Sequence, residues 1–419
     1  MNDFNTSGNF CDLQIGNADG DFIIDKLNGS GYSAYYVGGC VRNAVLGIKI
    51  KDYDITTSAK PEEVKKVFSD YKFVGNGIKH GTVTVIVNNS AYEITTFRTE
   101  GKYSDSRHPD KVYFCNKLAD DLTRRDFTCN AMAFCKNQGI IDYFGGYYDT
   151  RNLILKAVGV PTSRFKEDAL RILRGLRLSS EYGFIAEDKT ARAMKSNAKL
   201  LDNISRERVY SEIKCIFGGK RLYVSLCDYR DIAEISLKTE IDEDLYSVAL
   251  KKAAECEGDF YLRFSIFLYA INKSKSDALK IADKMRSENL LRKLIVKLFD
   301  CIECFYTLKG NGADNRYIAK VILMKVGDDY DYFKKFAFSV VRDEYKCAAA
   351  DLIMQCEDVL KNNECYKITM LAVNGNDLEK YGYSGKEIGA ELNKILDLVM
   401  HGKLNNTASD ITEYIKKNG

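Results

Sequence analysis

All three prolines of this 419-residue chain, Pro61, Pro109 and Pro161, fall in its first 161 residues, and none follows. Proline removes a backbone donor and clashes with the preceding turn, so a proline-free stretch of this length suits continuous helices. Its apolar residues recur at three and four, as in Leu170, Leu173, Leu176 and Leu178, or Ile281, Met285, Leu290, Leu291 and Leu294. The back of the chain therefore predicts as all helical. The first 155 residues instead carry short alternating or β-branched runs, SAYYVG, TVTVIVN and YEITTF, separated by glycine and asparagine. They predict a small mixed sheet with helices, which makes the fold class α+β. The length suggests two to four domains, with no convincing internal repeat and no low-complexity segment.

Composition narrows the function classes. Hydrophobic residues make up 45% and charged residues 29%, which excludes disorder as the dominant state. No apolar run approaches the roughly 18 residues of a membrane span, and the start MNDFNTSGNF lacks a basic and an apolar region. A cytoplasmic protein with no membrane partner is expected. A net charge of +3 is too small to advertise a nucleic-acid partner, so any basic footprint is local. One such stretch is 161–220, with 13 Lys+Arg against 8 Asp+Glu. The 13 cysteines are scattered and odd in number, which fits free thiols. Cys301 and Cys304 have no second pair or histidine nearby, so helix-core packing is expected rather than zinc. His80, His108 and His401 are the only histidines, and no His-Asp doublet exists. That excludes a phosphohydrolase domain built on this doublet.

The chemistry concentrates in YYVGGCVRNAVLG and the following KDYDITT. A strand ending in Gly38 and Gly39 lets a ligand approach the backbone, and a helix starting near Val41 points free N–H groups at the same place. Together they predict a phosphate cradle, to which Arg42 adds a forked guanidinium. Asp52 and Asp54 follow ten residues on, where Tyr53, Ile55 and Thr56 favour a strand. Strand alternation would put both carboxylates on one face. An otherwise unpaired couple of this kind implies a cation, and oxygen ligands beside a phosphate cradle suggest Mg²⁺. Glu93 lies on the next plausible strand, roughly 4.8 Å away, within reach of the same metals.

The motifs GGCVRN, KDYDITTSAKPEEV, GIKHGTVTV, YEITTFRTEGKYSDSRHPD, RRDFTCNAMAF, IDYFGGYYDT, RFKEDALRILRGLRL and ISRERVYSEI resemble, in order, those of the class II tRNA nucleotidyltransferases and related poly(A) polymerases. The resemblance covers roughly residues 25–217, with a fainter echo in AVNGNDLEKYGYSGKEIG. It implies a nucleotidyltransferase head over 1–155, a base-recognising helical neck over 156–220, a helical body over 221–345 and a tRNA-binding tail over 346–419. Asp52 and Asp54 match the metal-binding pair and Glu93 the third acidic position. Gly39 and Arg42 match triphosphate contacts. Arg125, Asp126 and Asn130 match a motif that contacts the sugar and couples head to neck. One position departs from the pattern. Asn43 stands where the family carries aspartate, so tuning rather than loss of catalysis is expected.

In RFKEDALRILRGLRL, Asp168 and Arg171 are three apart, so on one helix they would share a face and meet a flat base edge together. Cytosine and adenine both present an amino donor beside a ring-nitrogen acceptor. Uracil and guanine present the reverse order, so a carboxylate with a guanidinium accepts C and A and rejects U and G. Arg174 shares the face and is expected to support Arg171 or touch a triphosphate. Ser205 can cap a helix opening at Arg206, Glu207 favours its start, and Arg208 with Glu212 forms an i, i+4 pair. This matches a family motif read as a layer fixing the base-reading helix. The resemblance implies completion or repair of the tRNA C-C-A end from CTP and ATP by a two-Mg²⁺ mechanism, with the acceptor arm held by the helical regions and no protein partner. Poly(A) polymerase, a CC- or A-adding enzyme and a catalytically dead RNA-binding protein are the alternatives. Gly101–Pro109 is expected to be a mobile loop that acts as a lever for the switch from C to A.

Overall fold

A computed structural model of the chain describes residues 15–74, 81–100 and 112–418. The loop expected at Gly101–Pro109 lies outside them. The chain forms two compact units, divided between Ile241 and Asp242.

The first unit opens with α1 (Ala18–Gly29), whose first turn is capped by the Asn17 side chain accepting from the Gly20 N–H. There follow β1 (Ala34–Val37), α2 (Gly39–Val45), β2 (Asp54–Thr57), α3 (Pro61–Val67), β3 (Lys72–Val74), β4 (Thr82–Val87) and β5 (Ser90–Thr96). A small separate pair, β6 (Arg98–Glu100) and β7 (Val112–Phe114), precedes α4 (Leu118–Thr123), β8 (Met132–Cys135), β9 (Gly139–Asp142) and α5 (Gly146–Arg151). Seven strands form one mixed sheet in the order β3-β4-β5-β2-β1-β8-β9. Within this sheet only β2 and β5 run parallel. The runs SAYYVG, TVTVIVN and YEITTF supply β1, β4 and β5, as their alternation predicted. Pro61 and Pro161 each start a helix, where a missing N–H costs nothing.

Alternation gives the sheet two unlike faces. Tyr36, Ile55, Val83, Val85 and Ile94 join Ile23 and Leu27 of α1, Val41 of α2 and Val64 of α3 in one core. The opposite face buries Val37 and Ala133 against Phe97, Leu118 and Leu122, so α4 covers only part of it. Asp54 and Glu93 are exposed on the uncovered part.

Behind the sheet come α6 (Pro161–Glu167), α7 (Leu170–Tyr182), α8 (Asp188–Ser196) and α9 (Arg206–Gly218). Gly175 lets α7 approach Phe127 and Leu155 closely. A Cβ there would sit 2.8 Å from the Phe127 ring and 3.1 Å from Leu155. The second unit is helical throughout its described residues, from Glu243–Glu255 to Ala408–Asn418. Cys301 and Cys304 lie on its longest helix, Asn289–Gly310, and burial pushes the Cys301 thiol up to about 12. Cys301 is fully buried, as helix-core packing requires. No helix among the described residues is long and apolar enough to cross a membrane.

Gly146 fixes α5 against the 3-10 turn Thr128–Asn130, because a Cβ at Gly146 would lie 2.1 Å from the Thr128 carbonyl oxygen. Backbone cannot yield as a side chain does. Gly146→Ala is therefore expected to lower stability by about 1–3 kcal/mol, the usual cost of overpacking, read as a lower urea midpoint with unchanged slope.

Candidate active site

The site forms where β1 and β2 end side by side. After Val37 the chain turns through Gly38 at φ +75°, a conformation that favours glycine. A Cβ at Gly38 would lie 3.1 Å from Arg125 Nη1 and 4.0 Å from Asp54 Oδ2. Glycine thus keeps open the gap between a guanidinium and a carboxylate. Gly39 begins α2, and the Arg42 N–H donates to the Gly38 carbonyl at 3.0 Å.

Asp54 is the first residue of β2, and the parallel register sets it directly opposite Glu93 on β5. Register partners project from the same face, so the two carboxylates stand together on the open side of the sheet. Asp52 precedes the strand, which differs from the alternation predicted for it. It still acts on Asp54. Loss of hydration raises the Asp54 carboxyl above the ordinary carboxylate range, Arg125 pulls it back, Asp52 pushes it further up and Arg42 opposes that. No three His, Cys, Asp or Glu side chains among the described residues converge into a metal-binding group.

Arg125 is held from below by Asp121, a residue that the sequence reading missed. The Asp121 side chain is wholly buried on α4 and pairs with Arg124 Nη2 at 2.7 Å and Arg125 Nη2 at 3.1 Å. It also accepts from the Arg98 N–H at 3.3 Å and lies 3.4 Å from Thr56 Oγ1 on β2. Burial alone would raise its carboxyl, but the Arg125 and Arg124 guanidiniums hold it below the usual carboxylate range. Arg125 Nε is buried without a hydrogen-bond partner. The signal available in sequence was the acidic doublet ahead of RRDFT, indistinguishable there from a solvated helix start.

Arg42 is buried rather than reaching out as a free fork. Its Nε and Nη2 donate to Asn43 Oδ1 at 3.2 and 2.9 Å, and Nη1 donates to Asn130 Oδ1 at 2.5 Å. Asn43 therefore keeps a paired acceptor for Arg42 and lacks only the counter-charge of an aspartate. Asn130 in turn donates from Nδ2 to Asp126 Oδ1 at 3.1 Å, and Asp126 Oδ2 accepts from Arg174 Nε at 2.8 Å. Burial works against the Asp126 charge, yet Arg174, the Asn130 amide and the Phe127 N–H hold its carboxyl far below the ordinary range. Arg125, Asp126 and Asn130 are therefore brought together around a 3-10 turn and not on a capped helix.

The pair Asp168 and Arg171 is arranged differently from the shared helix face predicted for it. Asp168 ends α6 in an extended conformation, and its Oδ1 accepts from the Leu170 N–H at 3.0 Å. A short acidic side chain that bonds its own backbone two residues on competes with the helix, and here it breaks one helix into two. Asp168 Oδ2 accepts from Arg208 Nη2 at 2.9 Å. Arg171 is buried and pairs with Glu167 Oε2 at 2.7 Å, and its Nη2 donates to the Arg124 carbonyl at 3.1 Å. Glu167 was the second residue missed. It also accepts from Arg164 Nη1 at 2.9 Å.

The helix α9 opens at Arg206 as predicted, although the Ser205 side chain makes no capping hydrogen bond and Glu207 is exposed. Arg208 pairs with Asp168, so it does not form the expected bridge to Glu212. The nearest described cation to Glu212 is Arg177, 3.8 Å from Oε2. Burial raises the Glu212 carboxyl, with Arg174 and Arg177 offsetting part of the rise.

The "Poly A polymerase head domain" family matches residues 34–156. The "Probable RNA and SrmB- binding site of polymerase A" family matches residues 183–231. The CCA-adding enzyme of Lactobacillus helveticus is 33% identical over 411 residues, which cover 94% of this chain and 95% of the relative. That of Ligilactobacillus salivarius is 35% identical over 406 residues, covering 94% and 95%. Among solved structures, the Bacillus stearothermophilus CCA-adding enzyme in complex with CTP superposes with a TM-score of 0.75 at 28% identity, over 95% of this chain and 96% of that one. The Thermotoga maritima CCA-adding enzyme complexed with tRNA(CCA) shares the fold, with a TM-score of 0.70 at 20% identity over 95% and 94%.

Removing the buried charge of Asp121 leaves Arg124 and Arg125 without their shared anion. Asp121→Asn is expected to cost about 3–5 kcal/mol near neutral pH. The folded carboxyl lies below its unfolded value, so its contribution is complete above the unfolded value near 3.9 and is lost as pH falls toward the folded one. Urea titrations of wild type and variant from pH 7 to 3 should therefore differ by a constant amount down to about pH 5 and then converge.

Proposed function

The chain belongs to the CCA-adding enzymes, a nucleotidyltransferase family, and we propose that it adds or repairs the 3′-terminal C-C-A of tRNA from CTP and ATP without a nucleic-acid template. The observation that carries this reading is the parallel pairing of Asp54 with Glu93 beside the Gly38 turn. It sets carboxylates at the mouth of a backbone crevice flanked by Arg125 and Arg42. Relatives that match nearly the whole chain are named for C-C-A addition, which favours it over poly(A) synthesis.

The donor set fits Mg²⁺. Asp54 and Asp52 are hard oxygen ligands whose mutual repulsion a cation relieves. Asp54 and Asp52 would hold such a cation, whose remaining positions water and substrate phosphates would fill. Two bound ions would supply Lewis-acid activation of the primer 3′-hydroxyl and charge stabilisation on the triphosphate. The chain's own residues do the rest. The turn at Gly38 and Gly39 admits the triphosphate against backbone, with Arg42 and Arg125 facing its oxygens. The network of Asp126, Asn130 and Arg174 holds the sugar-side wall. Asp168 and Arg171 choose the base, exchanging their Arg208 and Glu167 partners for the amino and ring-nitrogen groups that cytosine and adenine share. Glu207, Arg208 and Glu212 keep α9 behind them. The acceptor arm of tRNA is held by shape and phosphate contacts along the helical regions, with neck, body and tail divided at about residues 156–220, 221–345 and 346–419.

Two measurements test this reading. Asp52→Ala and Asp54→Ala should each remove nearly all incorporation in single-turnover assays on tRNA lacking C-C-A, with tRNA affinity kept within a few-fold. Near-normal turnover by either one would sink the metal assignment. Asp168→Ala or Arg171→Ala should shift the CTP to UTP preference by roughly ten- to a hundredfold, because an unpaired buried polar group costs about 1–3 kcal/mol. Wild-type nucleotide ratios would reduce the pair to structural contacts.

A further inference from the structure

Among the described residues the hydrogen-bond and ring partners of Arg42 are neutral. Asn43 and Asn130 take the edges of its guanidinium, as described above, and Tyr182 takes both its face and one donor. The Arg42 Cζ lies 4.6 Å from the Tyr182 ring centroid, and Nη2 donates to the Tyr182 hydroxyl at 3.2 Å. Among the described residues no carboxylate pairs with Arg42. Burying a cation without a counter-ion is unfavourable unless a ligand brings the charge. Such a contact set fixes the direction of the guanidinium and leaves its charge available.

Tyr182 is the last residue of α7, and Gly183 at φ +86° turns the chain immediately after it. The helix end thus delivers the ring under Arg42. Eight residues earlier the same helix carries Arg174, which binds Asp126. Asp126 holds Asn130, and Asn130 holds Arg42. These contacts close a ring that leaves α7 at Arg174, passes through Asp126 and Asn130 beside the 3-10 turn and Arg42 on α2, and returns to α7 at Tyr182. A helix rises about 1.5 Å per residue, so α7 is pinned to the phosphate turn at two points roughly 12 Å apart. Arg171 belongs to that same helix.

We propose that Tyr182 is a positioning residue for nucleotide binding: its ring and hydroxyl aim Arg42 at the triphosphate and tie that aim to the helix that carries Arg171. The proposal rests on the reading of Arg42 as a triphosphate contact. Tyr182 touches no reacting atom and acts through Arg42 alone.

Steady-state incorporation into tRNA lacking C-C-A tests it. Tyr182→Leu, which removes both ring and hydroxyl, should raise KM for CTP and for ATP by a similar factor of about ten, as expected for losing a charged hydrogen bond and a cation–π contact. The value of kcat, the tRNA affinity and the CTP to UTP ratio should stay within about twofold, since neither metal nor base contacts change. Inorganic tripolyphosphate, which has no base, should inhibit more weakly by the same factor. Tyr182→Phe keeps the ring and should show a smaller rise, about threefold. It also decides the matter if the leucine variant fails to fold, because an unchanged KM would then overturn the proposal. In an Arg42→Ala background, Tyr182→Leu should add nothing. An equal further rise there would overturn the positioning role, and so would Tyr182 variants that leave KM and tripolyphosphate inhibition untouched while Arg42→Ala raises both. If Arg42→Ala itself leaves both untouched, the triphosphate reading of Arg42 fails, and the proposal falls with it.

Discussion

The buried carboxylate of Asp126 is the contact on which the arrangement of this site depends. Its two oxygens hold Arg174 on one side and the Asn130 amide with the Phe127 N–H on the other. Through Asn130 it also sets Arg42. An ion pair whose cation keeps part of its surface in water, as Arg174 does, gains little net stability. What such a pair adds is specificity. The contacts from Arg174 to Asp126 and from Tyr182 to Arg42 hold both halves of α7, and leaving one of these groups unpaired is expensive. Gly175, which lets α7 approach Phe127 and Leu155 closely, is the packing counterpart of the same requirement.

A second buried carboxylate, Asp121, does for the other wall what Asp126 does for the first. It lies under the face of the sheet that α4 covers, touching Thr56, and it holds Arg124 and Arg125. Arg125 then faces Asp54 across the space that Gly38 leaves open. The two arginines of RRDFT are thus set by an anion ahead of them in sequence, and the aspartate of the same motif is set by a cation on α7. Adjacent residues in the chain answer to different elements.

Much of this was legible in the sequence, for definable reasons. Strand alternation and the absence of proline after Pro161 mark the change from sheet to helix, because both act locally through backbone geometry. Gly38, Asp54, Glu93 and Arg42 were identifiable because turn chemistry and carboxylates on neighbouring strands are short-range patterns. The partners were not legible. Asp168 and Arg171 carry a perfect i, i+3 spacing, but Asp168 bonds the Leu170 N–H and ends its helix, and its charge partner is Arg208, forty residues on. Glu167 and Asp121 looked like ordinary solvated acids because nothing in one sequence tells which arginine will be brought to them. Tyr182 carried no pattern at all, since its role comes from where α7 ends.

On the proposed reading, the charges gathered at the mouth of the crevice suit a substrate that arrives with metal. Asp52, Asp54 and Glu93 stand on the open side, while Arg42 and Arg125 face it and the Arg125 charge is already shared with Asp121. The cradle therefore carries more carboxylates than free guanidiniums, unlike a surface that binds phosphate by arginine excess alone. A bare triphosphate entering it would meet carboxylates as well as guanidiniums. Divalent cations reverse that local sign, turning the carboxylates from a repulsion into ligands. The same balance bears on Asn43. An aspartate there would set a negative charge against Arg42, whereas the amide orients the guanidinium through the same two donors without one, which on the proposed reading leaves its charge for phosphate.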